Sequence, residues 1–340
     1  MTTGAVQADD AEHAGRADDA QHTDAAGRPG AEVVTFGETM AALRSGGPLR
    51  LGGSMSLSVA GAESNVAIGL ARLGHRVRWI GRVGDDEFGA LILRTLRAEN
   101  VDVTGALADA SRPTGLIVFE QRLSDVTRVL YYRSGSAGSA LDAADVSSAA
   151  GPVLHLTGIT PALGATAAQA ALAGAQRARQ AGAIVSFDVN YRARLWPAAQ
   201  ARAGLRPLAA LASLIFGSEA ELALLAGDPP GGPEAAAEEL LGQGVQAVVV
   251  KRGARGATSY TADGARSVPA RTVRAVDVIG AGDAFVSGYL SGVLDGLDEA
   301  GRLRRGADVS AFAVSCTGDW EGLPTRAELD LLGAQEETVR

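Results

Sequence analysis

The stretch Asp277-Val278-Ile279-Gly280-Ala281-Gly282-Asp283-Ala284-Phe285 holds the residues best placed to do chemistry. Gly280 and Gly282 let backbone N–H groups converge without side-chain obstruction. Residues 284–294 read as a helix, so those N–H groups fall at a helix N-terminus, where unpaired donors and the dipole suit an anion. A carboxylate is out of place there unless it takes a proton from a substrate hydroxyl, and Asp283 is such a carboxylate. The same residues also describe a glycine turn with an aspartate N-cap, and both readings stand at this point. A dinucleotide fingerprint is excluded, because Phe285 occupies the place of its third glycine.

Such a turn needs a scaffold, and the preceding chain supplies one. Strand-like runs over 32–36, 56–59 and 76–80 alternate with helical spacing over 65–73 and 88–99, the first of these helices closed by Gly74. Strand, helix, strand, helix is the rhythm of a parallel sheet with crossovers. Residues 114–121 and 127–133 break it with a hairpin pattern around Leu123-Ser124-Asp125. The alternation resumes with strands at 153–156, 184–188, 214–216 and 247–251 and helices at 165–181 and from 219. The expected fold is α/β: one three-layer α/β/α domain over 31–330, with a small β appendage from strands near 51–59 and 114–133.

Composition narrows the functions open to this scaffold. The chain has 340 residues and a net charge of −8, with Lys251 the only lysine and Cys316 the only cysteine. One cysteine excludes an intrachain disulfide and any cysteine-pair zinc site. The only lysine is flanked by Val250 and Arg252, so there is no P-loop. No His-Glu-x-x-His helix, basic cluster or 18-residue apolar run occurs, so zinc-protease, nucleic-acid and membrane roles are not expected. Residues 1–30 carry six acidic and two basic residues and no aromatic, which predicts a disordered acidic tail. A cytoplasmic enzyme is the expectation.

The 277–285 stretch resembles the second signature of the ribokinase-like (PfkB) carbohydrate kinases, Asp-x-x-Gly-Ala-Gly-Asp. Ala60-Gly61-Ala62-Glu63-Ser64-Asn65-Val66-Ala67 resembles the first, and Arg82-Val83-Gly84-Asp85-Asp86-Glu87-Phe88-Gly89 is also family-like. The similarity spans about residues 31–326, with the two signatures about 220 residues apart. Within the family the nearest resemblance is to 2-keto-3-deoxygluconate (KDG) kinases, on the segments 131–141, 155–163, 186–192 and 318–322. Another sugar kinase of the family, for 2-keto-3-deoxygalactonate or fructose, is the alternative, followed by a non-catalytic sugar-binding relative.

The resemblance implies ATP and Mg²⁺ as cofactors and a sugar acid as substrate. It implies Asp283 as general base and the N–H groups of Gly280, Ala281, Gly282 and Asp283 as the anion hole. Gly61, Ala62, Asn65, Tyr131, Arg133, Arg192 and Asp319 would line the sugar site, the arginines pairing with its carboxylate. Asn190, Ser218, Lys251, Arg252, Gly253 and Gly256 would face the nucleotide, and Glu221 would reach the metal through water. Ser218 stands where the family has Asn, and Val278 where it often has Thr. His155 is read as a strand-core residue. The β appendage would be a lid whose exposed edge pairs with a second lid, so a homo-oligomer is expected.

Overall fold

Strands such as Ala247–Lys251, with Ala-Val-Val-Val and no polar alternation, need cover on both faces, and the computed structural model supplies it. It describes residues 30–123 and 126–333. The expected tail, apart from Gly30, lies outside the described residues, as do Ser124 and Asp125 of the predicted hairpin turn.

In chain order the strands are β1 (Val33–Phe36), β2 (Met40–Ser45), β3 (Met55–Ala60), β4 (Val77–Ile80), β5 (Arg82–Gly84), β6 (Val101–Asp102), β7 (Leu107–Asp109), β8 (Leu116–Leu123), β9 (Val126–Tyr132), β10 (Val153–Thr157), β11 (Ile184–Asp188), β12 (Leu214–Ser218), β13 (Ala247–Lys251), β14 (Ala257–Thr261) and β15 (Gly264–Val268). The helices are α1 (Ala62–Arg72), α2 (Glu87–Ala98), α3 (Ile159–Ala162), α4 (Ala165–Gln180), α5 (Ala198–Ala209), α6 (Glu219–Ala226), α7 (Gly232–Gly242), α8 (Ala281–Leu294) and α9 (Glu299–Val314).

Nine strands form the main sheet in the order β15-β14-β13-β12-β11-β10-β1-β4-β6. It is parallel from β13 to β6, and β14 and β15 add an antiparallel edge. Alternate residues of each strand enter opposite cores. Val33, Phe216 and Val249 pack with Val286 and Tyr289 of α8 on one face, while Val34, Phe36, Phe187 and Val248 pack with Ala171, Leu205 and Leu240 of α4, α5 and α7 on the other. The expected three layers are therefore present.

A separate sheet runs β3-β2-β8-β9, with β2 and β8 parallel and both outer pairs antiparallel. Its inner face buries Met40, Ala42, Ala60, Ile117 and Phe119. β2 was not expected, because Met-Ala-Ala-Leu-Arg-Ser has no β-branched residue to mark it. The strand expected from 51 begins only at Met55, since Leu49–Leu51 form a 3₁₀ turn.

The key helix also starts earlier than expected. Gly280 adopts φ +77° and acts as the N-cap of α8, so the helix begins at Ala281. Asp283 is therefore inside the first turn, and the reading of it as an N-cap fails: it caps nothing.

Candidate active site

β1 sits between β10 and β4 and is parallel to both, so the chain departs from it in opposite directions, the place where open α/β sheets bind ligands. The residues at or just beyond the carboxyl ends of these strands are the chemical ones: Glu38 after β1, Thr157 on β10, Asp188 and Asn190 at β11, Ser218 on β12 and Lys251 on β13. The α8 N-terminus points into the same region.

A cavity of about 500 Å³ lies between this edge and the apolar inner face of the second sheet. Gly61, Ala62, Asn65, Tyr131, Arg133, Arg192, Gly280, Asp283 and Asp319 all line it, so the structure gathers every residue expected around the sugar. Asn65 Nδ2 donates to Asp283 Oδ2 at 2.8 Å, and Asn190 Nδ2 approaches Oδ1 at 3.4 Å. Burial pushes the Asp283 carboxyl above its ordinary range, against the pull of Asn65, Lys251 and Arg192. A buried carboxylate so raised is better suited to take a proton than a solvated one.

Two arginines expected as equals differ in the structure. Arg133 is buried, and its Nε and Nη2 lie 2.6 Å and 2.5 Å from Glu38 Oε2. Its fork does meet a carboxylate, but the chain's own, and Ser136 holds the other Glu38 oxygen. Arg192 instead is exposed at the cavity wall, where its Nη1 donates to the Tyr191 carbonyl at 3.3 Å. Arg194 lines the cavity beside it and reaches the Val129 carbonyl of β9 at 2.6 Å.

Three residues at or beside the cavity have no role assigned from sequence. Glu38 and Arg44 are two: Arg44 of β2 pairs with Asp319 and with Asp277 Oδ2 at 3.1 Å. Glu63, within the first signature, is the third. It is wholly buried, accepts bonds from Thr157 and Thr160 at Oε1, and its carboxyl is pushed up mainly by burial. A strand followed by a carboxylate at the sheet's C-terminal edge was the available signal for Glu38 and for Asp188.

A second cavity of about 350 Å³ lies on the far side of the α8 N-terminus. Lys251, Gly253, Gly256, Ala281 and Gly282 line it, with apolar walls from Val273, Val278, Phe285 and Val314. Arg252 is not among its lining residues; its Nε donates to Glu219 at 2.9 Å and another nitrogen reaches Thr258, on the outer side of the β13–β14 turn. Lys251 Nζ is 2.6 Å from Asp188 Oδ2. Burial works against the ammonium, but Asp188 and Glu221 outweigh it and hold it charged. Burial pushes Asp188 up to about 6, against the same lysine. His155 lies in strand β10 with Nδ1 3.0 Å from Ser186 Oγ, and burial, then Lys251, holds it down to about 3. It is a neutral core residue, as expected.

Among the described residues, no acceptor faces the N–H groups of Gly280, Gly282 and Asp283, and that of Ala281 makes only a 3.4 Å contact to the Val278 carbonyl. One helix terminus thus presents free donors between two cavities, with a basic carboxylate facing the first.

Residues 31–326 match the pfkB family carbohydrate kinase profile. The chain belongs to the PfkB family of carbohydrate kinases. It is 39% identical over 317 residues, 91% of this chain and 97% of the relative, to the 2-dehydro-3-deoxygluconokinase of Bacillus subtilis. It is 36% identical over 310 residues, 88% and 93% of the two chains, to that of Thermoproteus tenax. A ribokinase II from E. coli, solved in complex with ATP and Mg²⁺, superposes with a TM-score of 0.83 at 26% identity, covering 89% of this chain and 98% of that one. The protein is accordingly a sugar kinase of ribokinase-like fold.

One residue that departs from the PfkB pattern has a clear structural role. Ser218, at the family's Asn position, is the N-cap of α6, accepting from Glu221 N at 3.3 Å. Glu221 returns the bond by accepting from Ser218 N at 2.7 Å, and its other oxygen accepts from Tyr191 N at 2.8 Å. Burial disfavours its charge, but Lys251 and these donors outweigh that and hold the carboxyl below the usual range. Glu221 therefore fixes two main-chain segments, and a metal would meet it only through what lone pairs remain, by way of water. Among the described residues, the buried oxygens with no hydrogen-bond partner include Asp188 Oδ1 and Asn190 Oδ1. Hard oxygen donors of this kind fit Mg²⁺.

Proposed function

We propose that this PfkB kinase transfers the γ-phosphoryl group of ATP to the 6-hydroxyl of KDG, giving 2-keto-3-deoxy-6-phosphogluconate and ADP. The observation that carries the reading is the α8 N-terminus shared by two cavities: Gly280 and Asp283 line the first, Ala281 and Gly282 the second. A sugar hydroxyl in the first and a terminal phosphate at the second would meet at that turn.

In this reading Asp283 accepts the hydroxyl proton as the oxygen attacks phosphorus. The new P–O bond forms as the bond to the ADP oxygen breaks, and the free N–H groups of the turn hold the charge that gathers on the phosphoryl oxygens. Lys251 adds a fixed positive charge beside Gly282, stabilised by Asp188. Mg²⁺ would neutralise the phosphate oxygens when bound, and Asp188, Asn190 and water-linked Glu221 are the residues that fit it. Arg192 and Arg194 supply the positive wall that a sugar carboxylate needs, and Arg133, neutralised by Glu38, shapes the pocket beneath Tyr131. The second sheet covers the sugar as a lid and keeps water out. The names of the Bacillus and Thermoproteus relatives support the choice of KDG. A cytoplasmic setting, with ATP at hand, goes with this role. Among the described residues no helix is long and apolar enough to cross a membrane.

The test is ATP turnover coupled to ADP detection with KDG, its galacto epimer, fructose and ribose. KDG should give the highest kcat/KM. A neutral sugar preferred over both acids would overturn the reading, and binding without turnover on all four would point to a non-catalytic relative.

A further inference from the structure

We propose that Arg44 is a positioning residue for phosphoryl transfer, tying the second sheet to both sides of the Gly280 turn so that the turn is correctly aimed only while that sheet is seated. The proposal rests on the reading of the turn as the anion hole.

Arg44 lies on β2, and its guanidinium stacks 4.0 Å from the centre of the Phe119 ring of β8. This contact holds the fork against the inner face of the sheet. From there the two terminal nitrogens diverge. Nη1 donates to Asp277 Oδ2 at 3.1 Å, and Nη2 pairs with Asp319 Oδ1. A planar fork with two separate donors can bridge two carboxylates at once, which a single ammonium cannot do with the same geometry.

The two carboxylates control the turn from opposite sides. Asp277 Oδ1 accepts from Ile279 N at 3.1 Å and so shapes the chain entering Gly280. Its Oδ2 also accepts from Gly318 N at 3.3 Å. Asp319 backs the turn with its main chain: a Cβ added to Gly280 would lie 2.0 Å from the Asp319 carbonyl oxygen. The loop that carries Asp319 is pinned to the same sheet by Trp320 Nε1 to the Val59 carbonyl at 3.0 Å and Ser58 Oγ to Glu321 at 2.5 Å. Arg44 is the side chain in this set that ties the sheet to both walls of the turn. All three charged side chains are mostly buried, so the ties are little weakened by solvent.

If seating of the sheet and aim of the turn are linked in this way, cutting the link should do two things. Transfer to the sugar should slow, and water should enter and compete with the sugar hydroxyl. In that side reaction a water oxygen forms the bond to the γ-phosphorus, the bond to ADP breaks, and inorganic phosphate is released with the water's proton.

The experiment measures ADP formed per sugar phosphate formed, with KDG and MgATP, in the full chain and in Arg44→Gln. The wild type should give a ratio near one. The variant should show kcat lowered at least tenfold, KM for ATP within threefold, and a ratio raised at least twofold. The ratio does not depend on how much of the sample is folded. A variant that merely loses stability, with the ratio still near one, overturns the proposal, and so does an unchanged kcat. Should Arg44→Gln not fold, Arg44→Lys is read in the same way: it keeps the charge but not the two-ended bridge, so a wild-type ratio and kcat there overturn the proposal. A wild type that phosphorylates none of the sugars would instead defeat the reading of the turn itself.

Discussion

Asn65, in the first turns of α1, donates its side-chain amide to Asp283 Oδ2 at 2.8 Å, joining the two signature segments across 218 residues of sequence. The bond favours the charged form of Asp283 while burial opposes it, and burial prevails. A general base works only when deprotonated, so activity should fall as pH falls through this raised pKa. Asn65→Ala removes a stabilising donor, so the acid limb of kcat/KM should move to higher pH than in the wild type. A limb that stays put or moves down would contradict the assignment. Asp283→Asn should retain ATP binding by calorimetry and lose about 10²–10⁴ in turnover, the usual share of a general base.

The two glycines of the turn make a sharper pair. Gly280 is required by the fold, since it holds φ +77° and a Cβ would strike the Asp319 carbonyl. Gly282 is not: a Cβ there meets only Lys251 Nζ at 3.4 Å, an ordinary contact. Its smallness is left for a ligand to use. Gly280→Ala should therefore lower the melting temperature, whereas Gly282→Ala should leave it within about 1 °C and raise KM for ATP or lower kcat at least tenfold. Equal behaviour of the two variants in melting would show that packing, not ligand approach, explains both.

Much of this was legible in advance, and what was not has separate physical causes. The parallel strands announce themselves as apolar runs, and β11, β13 and α6 fall within the expected bounds. Several short strands and the helices α5, α7 and α9 escaped; among the misses, β2 lacks β-branched residues, and the first turn of α8 starts at a glycine N-cap that carries no side-chain signal. At the site, single residues could be read from motifs, but pairings could not. Nothing at positions 38 and 133 reveals that they neutralise each other, nor at 44 that it reaches 277 and 319, because such contacts depend on how distant strands register.

Those pairings decide how the two cavity arginines should respond to the same change. Breaking a buried ion pair by removing one partner typically costs about 3–5 kcal/mol. Arg133 is so placed against Glu38, while Arg192 is exposed and, among the described residues, forms no ion pair with a carboxylate at contact distance. Arg133→Ala should lower the melting temperature clearly and affect all substrates. Arg192→Ala should hardly change melting and should raise KM for the sugar acid at least tenfold, with KM for ATP little altered. An unchanged KM for the acid in Arg192→Ala would remove this residue from carboxylate recognition.

The outer face of the second sheet bears on assembly. β3 and β9 are its edge strands, and the register places Leu57 opposite Leu43 and Tyr132 opposite Leu116. A two-sided sheet usually turns a polar face to water, yet here the inner face is apolar and Leu57 and Tyr132 stay 50% and 63% exposed on the outer one. An apolar outer face on a sheet with two edges suits a second copy of the chain, which would bury it by isologous contact. Light scattering should therefore give the mass of a dimer or a multiple of it. Leu57→Asp combined with Tyr132→Asp should yield a monomer with unchanged helix content and a higher KM for the sugar, because each lid loses its support. A wild-type monomer at assay concentration, or a double variant of unaltered mass, would rule out this face as the subunit contact.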